Sequence, residues 1–390
     1  MTPAARYAAA IDVLDRWLDG DPIERALTGW ARGARYAGSQ DRAAIRDHVY
    51  DVLRLKGSCA AAGGGETGRA LILGLLRQTG GPIDQAFSGI GHAPQPLNED
   101  ERAVVDGPLS QALDVLNLPD WVHQKYVQGK SNDYAAILKS QTDRAPLYLR
   151  LNGRKAMLDQ AIAALAEEGV EAEADPACAT ALIVTANPRK LRLSNAYLDG
   201  LVEIQDLSVQ AACAQIDWPG SGKILDYCAG GGGKSLAISA RTEATIFAHD
   251  ANPARMKDLP ARAERAGVWV RQLSTDALKS EADFALVLCD VPCTGSGTWR
   301  RDPEAKWRLT PDDLVALRQT QADILDQAAI LVALGGRLVY MTCSAFQDEN
   351  EDQIAEFLQR APDWQITQMQ TFGPPVWSDG FFVCELTHSD

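Results

Sequence analysis

Asp283-Phe-Ala-Leu-Val-Leu-Cys-Asp-Val-Pro-Cys-Thr-Gly-Ser-Gly-Thr-Trp-Arg-Arg301, read together with Gly335-Gly-Arg-Leu-Val-Tyr-Met-Thr-Cys-Ser344, decides the fold. Each stretch is a short apolar run that ends at a cysteine in a turn-like setting. Phe284–Cys289 and Arg337–Met341 have the length and the β-branched or aromatic content of buried strands. Asp290, Cys293 and Cys343 therefore fall at or just past the carboxyl ends of two strands. In an open α/β sheet that edge is where ligands bind.

Upstream, the pattern alternates strand and helix from about Val202, the signature of a doubly wound parallel sheet. Lys223–Cys228 predicts a first strand, followed by Ala229-Gly-Gly-Gly-Gly-Lys234 and a helix from Ser235. Thr245–His249 predicts a second strand ending at Asp250, and Val268–Leu273 a third ending near Asp276. Thr310-Pro-Asp-Asp313 is a helix start, with Leu314, Leu317, Ile324, Leu325, Ala328 and Leu331 as the buried face. The glycine turn lets backbone approach a ligand and opens a helix whose N–H groups face it. Asp250 is placed to accept from ribose hydroxyls, and Asp276 to receive an adenine amino group. The glycines are contiguous rather than spaced G-x-G-x-x-G, which favours S-adenosylmethionine over a dinucleotide.

A lone cysteine is more often a small buried hydrophobe than a nucleophile, and Cys213, Cys289 and Cys384 read that way. Cys59 and Cys178 carry no further context. Cys293 and Cys343 differ because both lie at the ligand edge. If their strands are neighbours, the thiols converge on one pocket, where a thiolate can attack an electron-poor ring carbon. Asp290, in the same turn, would donate a proton or accept a hydrogen bond there.

The rest of the chain bounds the class. At 390 residues, two or three domains are expected. No apolar run is long enough for a bilayer span and no signal peptide is evident. The eight cysteines lack paired zinc-ligand spacing, so no metal is expected and they read as reduced cytoplasmic thiols. A formal charge of -14 argues against non-specific nucleic-acid binding by the whole surface, but not against a local basic groove. Candidate cations are Arg25, Arg32, Arg35, Arg42 and Arg46; Arg150, Arg154 and Lys155; Arg189, Lys190 and Arg192; and Arg300, Arg301, Lys306 and Arg308. For any one cluster the ordinary reading is a solvated face.

Residues 1–125 read as helical. Ala9–Leu18 carries a stripe of Ala10, Val13, Leu14, Trp17 and Leu18, Asp21 caps a helix with Pro22 in its first turn, and Asp41–Lys56 turns Ile45, Val49, Val52 and Leu53 inward. Gly57–Gly68 reads as a loop. Residues 126–202 read as a linker helix and a small α+β domain: strands at Leu147–Leu151 and Ala181–Thr185, and a helix at Met157–Glu168. The remaining 203–390 is the strand–helix domain.

With these residues in view, the chain resembles the RNA cytosine-C5 methyltransferases of the RsmB/NOP group, bacterial ribosomal-RNA branch. The motifs that carry the resemblance are Asp290-Val-Pro-Cys-Thr-Gly-Ser-Gly-Thr-Trp-Arg-Arg301, Tyr340-Met-Thr-Cys-Ser344 and the following Glu349-Asn-Glu351. Ala145-Pro-Leu-Tyr-Leu-Arg-Leu-Asn152 is similar to the start of that group's small RNA-binding domain, Gln205-Asp-Leu-Ser208 to the approach to its catalytic domain, and Asp379-Gly-Phe-Phe382 to its closing strand. Asp41-Arg42 with Val49–Arg54 is similar to its NusB-like helical domain.

The resemblance implies a class I, Rossmann-like methyltransferase domain behind a small RNA-binding domain and an all-α NusB-like domain. It implies that Cys343 adds to C6 of a target cytosine, that Cys293 assists release, that Asp290 steadies the base near N3, and that Lys234 lines the same pocket. It implies S-adenosylmethionine held by Cys228, Ala229, Gly230, Gly231, Gly232, Gly233, Lys234, Asp250, Arg255, Asp276 and Asp290. The expected partner is RNA, ribosomal RNA first, with a monomer favoured and no membrane or metal. The chain departs from the group's Cys-Ala-Ala-Pro-Gly-Gly-Lys turn, and Val209 stands where serine is common. Three alternatives stay open: a transfer-RNA substrate, an RNA-binding assembly factor without catalysis, and a small-molecule methyltransferase.

Overall fold

From residue 147 onward the described residues form eleven strands in two sheets, in a computed structural model that describes residues 1–109, 116–128, 134–278, 280–373 and 378–388. They are β1 (Leu147–Leu151), β2 (Glu171–Ala174), β3 (Ala181–Ala186), β4 (Val202–Ile204), β5 (Lys223–Asp226), β6 (Thr245–Ala248), β7 (Val270–Gln272), β8 (Phe284–Asp290), β9 (Val332–Thr342), β10 (Trp364–Phe372) and β11 (Phe381–His388). The larger sheet has the order β10-β11-β9-β8-β5-β6-β7. Strands β5 to β9 run parallel, while β10 and β11 form an antiparallel edge. This is the doubly wound, mainly parallel sheet expected from the alternation of strand and helix.

The two cysteine-bearing strands are neighbours, with Asp290 opposite Met341 in parallel register. The loops that leave their carboxyl ends therefore start side by side. Strand β9 is longer than its apolar run, because a register irregularity opposite Phe284–Leu286 absorbs the residues around Gly335-Gly336. Both faces of the sheet are buried, as parallel strands require. Val287, Cys289, Leu338 and Tyr340 face one core with Leu325 and Phe357, while Leu286, Leu288, Val339 and Met341 face the other with Ile224 and Ile238. The helix Pro311–Ala329 starts with Thr310 accepting from the Asp313 N–H at 3.2 Å, and it buries Leu314, Leu325 and Ala328. Its expected Leu331 lies past the helix end.

The smaller sheet, β2-β3-β1-β4, is antiparallel and packs on the helix Leu158–Glu167 through Leu149, Leu165 and Leu182. Strand β4 pairs with β1, so the start of the strand–helix series belongs to this sheet.

The chain divides into two compact units: Met1–Lys125 with Gln141–Asp143 and Trp299–Arg308, and the remaining described residues between Tyr126 and the C-terminus. The first unit is helical. Ile45, Val49, Val52 and Leu53 are fully buried as their spacing predicts, whereas Leu18 at the end of its helix is 37 % exposed. Asp21 does not cap the helix Ile23–Gly33. Its carboxylate is held by Arg16 Nη2 at 2.7 Å instead, because a neighbouring guanidinium outbids an N–H. A second correction concerns Gly57–Gly68, whose first half is a helix, Lys56–Gly63, packed against Gly68–Thr79. The glycines here serve close approach rather than a turn. A Cβ at Gly74 would sit 1.9 Å from the Cys59 carbonyl oxygen, and one at Gly63 would sit 1.8 Å from that of Ala70. Gly74→Ala is therefore expected to cost about 1–3 kcal/mol of stability, read as a lowered Tm in thermal denaturation; an unchanged Tm would refute the close helix contact.

The same unit holds a segment distant in sequence. Glu304 accepts from Trp17 Nε1 at 3.1 Å and from the Ile23 N–H at 3.0 Å, and Trp307 Nε1 donates to the Leu53 carbonyl at 2.7 Å. Lys306 Nζ donates to the Arg54 carbonyl at 2.9 Å, and burial, then the Arg54 charge, push its ammonium down to about 7.

Candidate active site

The parallel pairing of β8 and β9 brings their following residues together. Cys293 Sγ and Cys343 Sγ lie 3.4 Å apart, within hydrogen-bonding reach for sulfur. Cys293 is pushed well above the usual thiol range, first by its hydrogen bond with Cys343 and then by burial. Cys343 is lowered, first by accepting that bond, with the Lys234 charge and the Thr298 hydroxyl helping against burial and the Asp290 charge. The arrangement biases two identical residues in opposite directions, Cys343 toward thiolate and Cys293 toward thiol.

Lys234 stands in the first turn of the helix Gly233–Ser239, and its Nζ donates to Asp290 Oδ2 at 2.5 Å. Burial opposes its charge, but the carboxylate overcomes burial and leaves the ammonium above its ordinary value. The glycine turn that places Lys234 needs glycine at position 232. Its φ is +80°, and a Cβ there would lie 2.2 Å from Leu259 Cδ1.

These groups line one cavity of about 560 Å³, inside the range of about 300–1,000 Å³ usual for small-molecule sites. Its walls include Cys228, Ala229, Gly230, Gly231, Gly233, Lys234, Arg255, Asp290, Cys293 and Cys343. Gly232, Asp250 and Asp276 are not among them. Asp250 supports the turn from outside: Oδ2 accepts from the Gly230 N–H at 2.9 Å, Oδ1 accepts from the Asn252 N–H at 2.9 Å, and Arg255 pairs with it at 3.2 Å. Asp276 is exposed on the short helix Thr275–Leu278, beyond the end of β7.

Two wall residues that the sequence reading passed over carry unanswered acceptors. Asp226 Oδ1 and Gln205 Oε1 are buried with no hydrogen-bond partner. Asp226 is pushed up to about 6 by burial, against the bond its other oxygen accepts from Ser235 Oγ at 2.6 Å. Its place at the end of β5 matches that of Asp290 at the end of β8, and the acid-at-strand-end rule would have found it. S-adenosylmethionine offers an ammonium, ribose hydroxyls and an adenine amino group, all donors, so the acceptors present fit it. Among the described residues no group of three or more His, Cys, Asp or Glu side chains could hold a metal ion, and no helix is long and apolar enough to cross a membrane.

Several expected RNA-facing cations are spent within the fold. Arg150, Arg300 and Lys306 are buried, Arg46 pairs with Glu24 at 2.6 Å, and Arg154 donates to the Ser239 carbonyl at 2.9 Å. Arg189, Lys190 and Arg192 are exposed on the turn Pro188–Leu193.

The thiol pair predicts its own titration. Cys293→Ala removes the donor that favours the Cys343 thiolate, so alkylation of Cys343 by iodoacetamide is expected to require a higher pH than in the parent protein. An unshifted profile would show that the two sulfurs do not share a proton.

Comparison with known proteins bears on this geometry. The family model for the 16S rRNA methyltransferase RsmB/F matches residues 217–382. The RsmF/B-like ferredoxin-like domain model matches residues 118–189. Ribosomal RNA small subunit methyltransferase B of Klebsiella pneumoniae subsp. pneumoniae is 30% identical over 282 residues, 69% of this chain and 65% of that protein. The protein of the same name from Salmonella dublin is 31% identical over 283 residues, 69% of this chain and 66% of its own. The chain thus spans just under two thirds of the length of these relatives. The solved structure of PH0851 matches 99% of both chains with a TM-score of 0.75 and 24% identity. A methyltransferase homologue from Pyrococcus horikoshii matches 70% of this chain and 96% of its own with a TM-score of 0.59 and 22% identity. Both structures support the fold alone. With two of its models matched on successive stretches and relatives of 30–31% identity over 282–283 residues, the chain belongs to the RsmB/NOP family of methyltransferases.

Proposed function

We propose that the protein methylates C5 of cytosine in ribosomal RNA, small-subunit RNA first, using S-adenosylmethionine and a transient bond between Cys343 and C6. The observation that carries this reading is the thiol pair: two cysteines 3.4 Å apart, Cys343 biased to thiolate and Cys293 to thiol, beside the Lys234–Asp290 pair. A pyrimidine is not attacked by an electrophile at C5 until a nucleophile adds at C6, and a thiolate suits that addition.

The Cys343 thiolate adds to C6 and makes C5 electron-rich. The cofactor, when bound, supplies the electrophilic methyl group. Asp290 holds the cytosine edge near N3, and Lys234, donating to its Oδ2, fixes its orientation. The C5 proton then passes to water, and its bonding pair re-forms the C5=C6 double bond. The C6–S bond breaks to return the Cys343 thiolate, a departure that Cys293, next to that sulfur, assists. The cofactor-holding residues are the turn Cys228–Lys234, Arg255 and Asp290, joined by Asp226, with Asp250 and Asp276 at the ribose and adenine end. The target base must leave any helix it occupies, since stacking blocks its C6 face. We read residues 1–125 as a helical domain, 126–202 as a linker and small RNA-binding domain, and 203–390 as the catalytic domain, acting in the cytoplasm.

The test is transfer of labelled methyl from S-adenosylmethionine to unmodified small-subunit ribosomal RNA, followed by digestion to nucleosides. The expected product is 5-methylcytidine. Label only in transfer RNA would change the substrate, and no label in any RNA would overturn the reading.

A further inference from the structure

The two cysteines sit on separate loops, and nothing in the strand pairing alone sets the distance between two side chains beyond the strand ends. The link lies behind them. Glu349 is fully buried in the 3₁₀ turn Gln347–Glu349. Its Oε1 accepts from the Thr294 N–H at 2.9 Å and from Gln321 Nε2 at 2.9 Å. Its Oε2 accepts from Thr294 Oγ1 at 2.5 Å and from Ser344 Oγ. Thr294 follows Cys293, and Ser344 follows Cys343. One side chain therefore grips the residue after each thiol.

The surroundings reinforce the grip. Ser296 Oγ and Ser344 Oγ lie 2.9 Å apart, the Ala345 N–H donates to Ser296 Oγ at 2.8 Å, and the Gly297 N–H donates to the Cys343 carbonyl at 2.9 Å. Tyr340 Oη donates to the Glu349 carbonyl at 2.7 Å, which ties the turn to β9. Ser296, Ser344, Gln321 and Glu349 are all fully buried. The clasp is thus dry, where a hydrogen bond is least able to exchange with water. Glu349 is not in the wall of the cavity and its carboxylate hydrogen bonds go to neither sulfur, though its charge adds to the upward push on the Cys293 thiol.

We propose that Glu349 is a positioning residue that clasps the Cys293 and Cys343 loops together and thereby sets the sulfur–sulfur distance on which the reaction depends. The proposal rests on the methyltransferase reading for its consequence, but its geometric content does not. Loss of the clasp lets the loops part, and a displacement of about 1 Å at a reacting centre costs on the order of 100-fold in rate. Holding the two loops needs a group with partners on both sides, a contact separate from the charge that Glu349 also exerts on the Cys293 thiol. A glutamine can keep it, with its carbonyl on the Thr294 N–H and its NH₂ donating to the two hydroxyls.

The experiment compares Glu349→Ala, Glu349→Gln and Ser344→Ala in the full chain. Cys343 alkylation is followed against pH, and diamide oxidation of the two thiols is timed, both without RNA or cofactor. Methyl transfer is then measured. Glu349→Ala is expected to slow diamide oxidation, move Cys343 alkylation to higher pH and lower kcat about 100-fold, with KM for RNA unchanged. Glu349→Gln is expected to recover most of each loss. Ser344→Ala, which removes one donor, is expected to shift all three readouts in the same direction by less, and it decides the matter if Glu349→Ala does not fold. Folded Glu349→Ala with parent-like thiol chemistry would overturn the clasp. Glutamine failing as badly as alanine would also overturn it, by making charge the operative property. If the thiol readouts shift as expected while the parent protein methylates no RNA, the clasp stands and the functional reading falls.

Discussion

Cys343→Ala is expected to lose methyl transfer by at least about 10⁴-fold, the scale on which removal of a covalent nucleophile is felt. Cys293→Ala is expected to accumulate a protein–RNA adduct that survives denaturation. The asymmetry follows from the opposite biases of the two thiols. Cys343 is the sulfur whose thiolate is favoured, so its loss leaves no partner for C6. Cys293 is biased toward the thiol and stands 3.4 Å from the leaving sulfur. Its loss therefore slows addition by disfavouring the Cys343 thiolate but hinders elimination more, and the adduct builds up. The measurement is denaturing electrophoresis of each variant with S-adenosylmethionine and unmodified ribosomal RNA. An adduct with Cys343→Ala and none with Cys293→Ala would exchange the two roles.

The second large effect is expected from Lys234→Met, a fall in kcat of about 10²–10³-fold, as for loss of one preorganised charged donor in a closed site. Removing the ammonium leaves the Asp290 carboxylate without the partner it holds at 2.5 Å and exposes Cys343 to an uncompensated negative neighbour. Both changes oppose the thiolate. The alkylation profile of Cys343 is therefore expected to move to higher pH in Lys234→Met. The double variant Lys234→Met/Asp290→Asn removes the unpaired charge as well, so its Cys343 profile is expected to return toward the parent while methyl transfer stays low. If the double variant kept the high profile of the single one, the Coulomb account of the pair would fail.

Strand ends were legible because β-branched and aromatic runs of five or six residues report a buried strand wherever they occur, and Asp290, Cys293 and Cys343 could be placed at one edge from that alone. The glycine turn was legible for a similar local reason: an unbroken glycine run between a strand and a helix leaves few conformations but a tight one. Two local readings misled. Gly57–Gly68 looked like a loop because glycine favours turns. Its first half is helical because Gly63 and Gly74 let two helices touch, and a packing partner eleven residues away does not show in the run itself. Asp21 looked like a cap, but Arg16 was within reach and bound it.

The sequence by itself determined the parallel sheet, the two thiols at its ligand edge, the glycine turn with Lys234, and the likeness to the RsmB/NOP family. These depend on residue type and near spacing, which the chain writes down directly. Only the tertiary structure decided that the two thiols meet at 3.4 Å and are biased apart, that Asp226 and Gln205 face the cavity while Asp250 braces the turn from behind, that Trp299–Arg308 packs with the helical unit, and that Glu349 joins the two cysteine loops. Each of these is a distance between residues far apart in the chain. Protonation and hydrogen bonding fall off within a few ångströms, so they are settled by which side chains packing brings within reach.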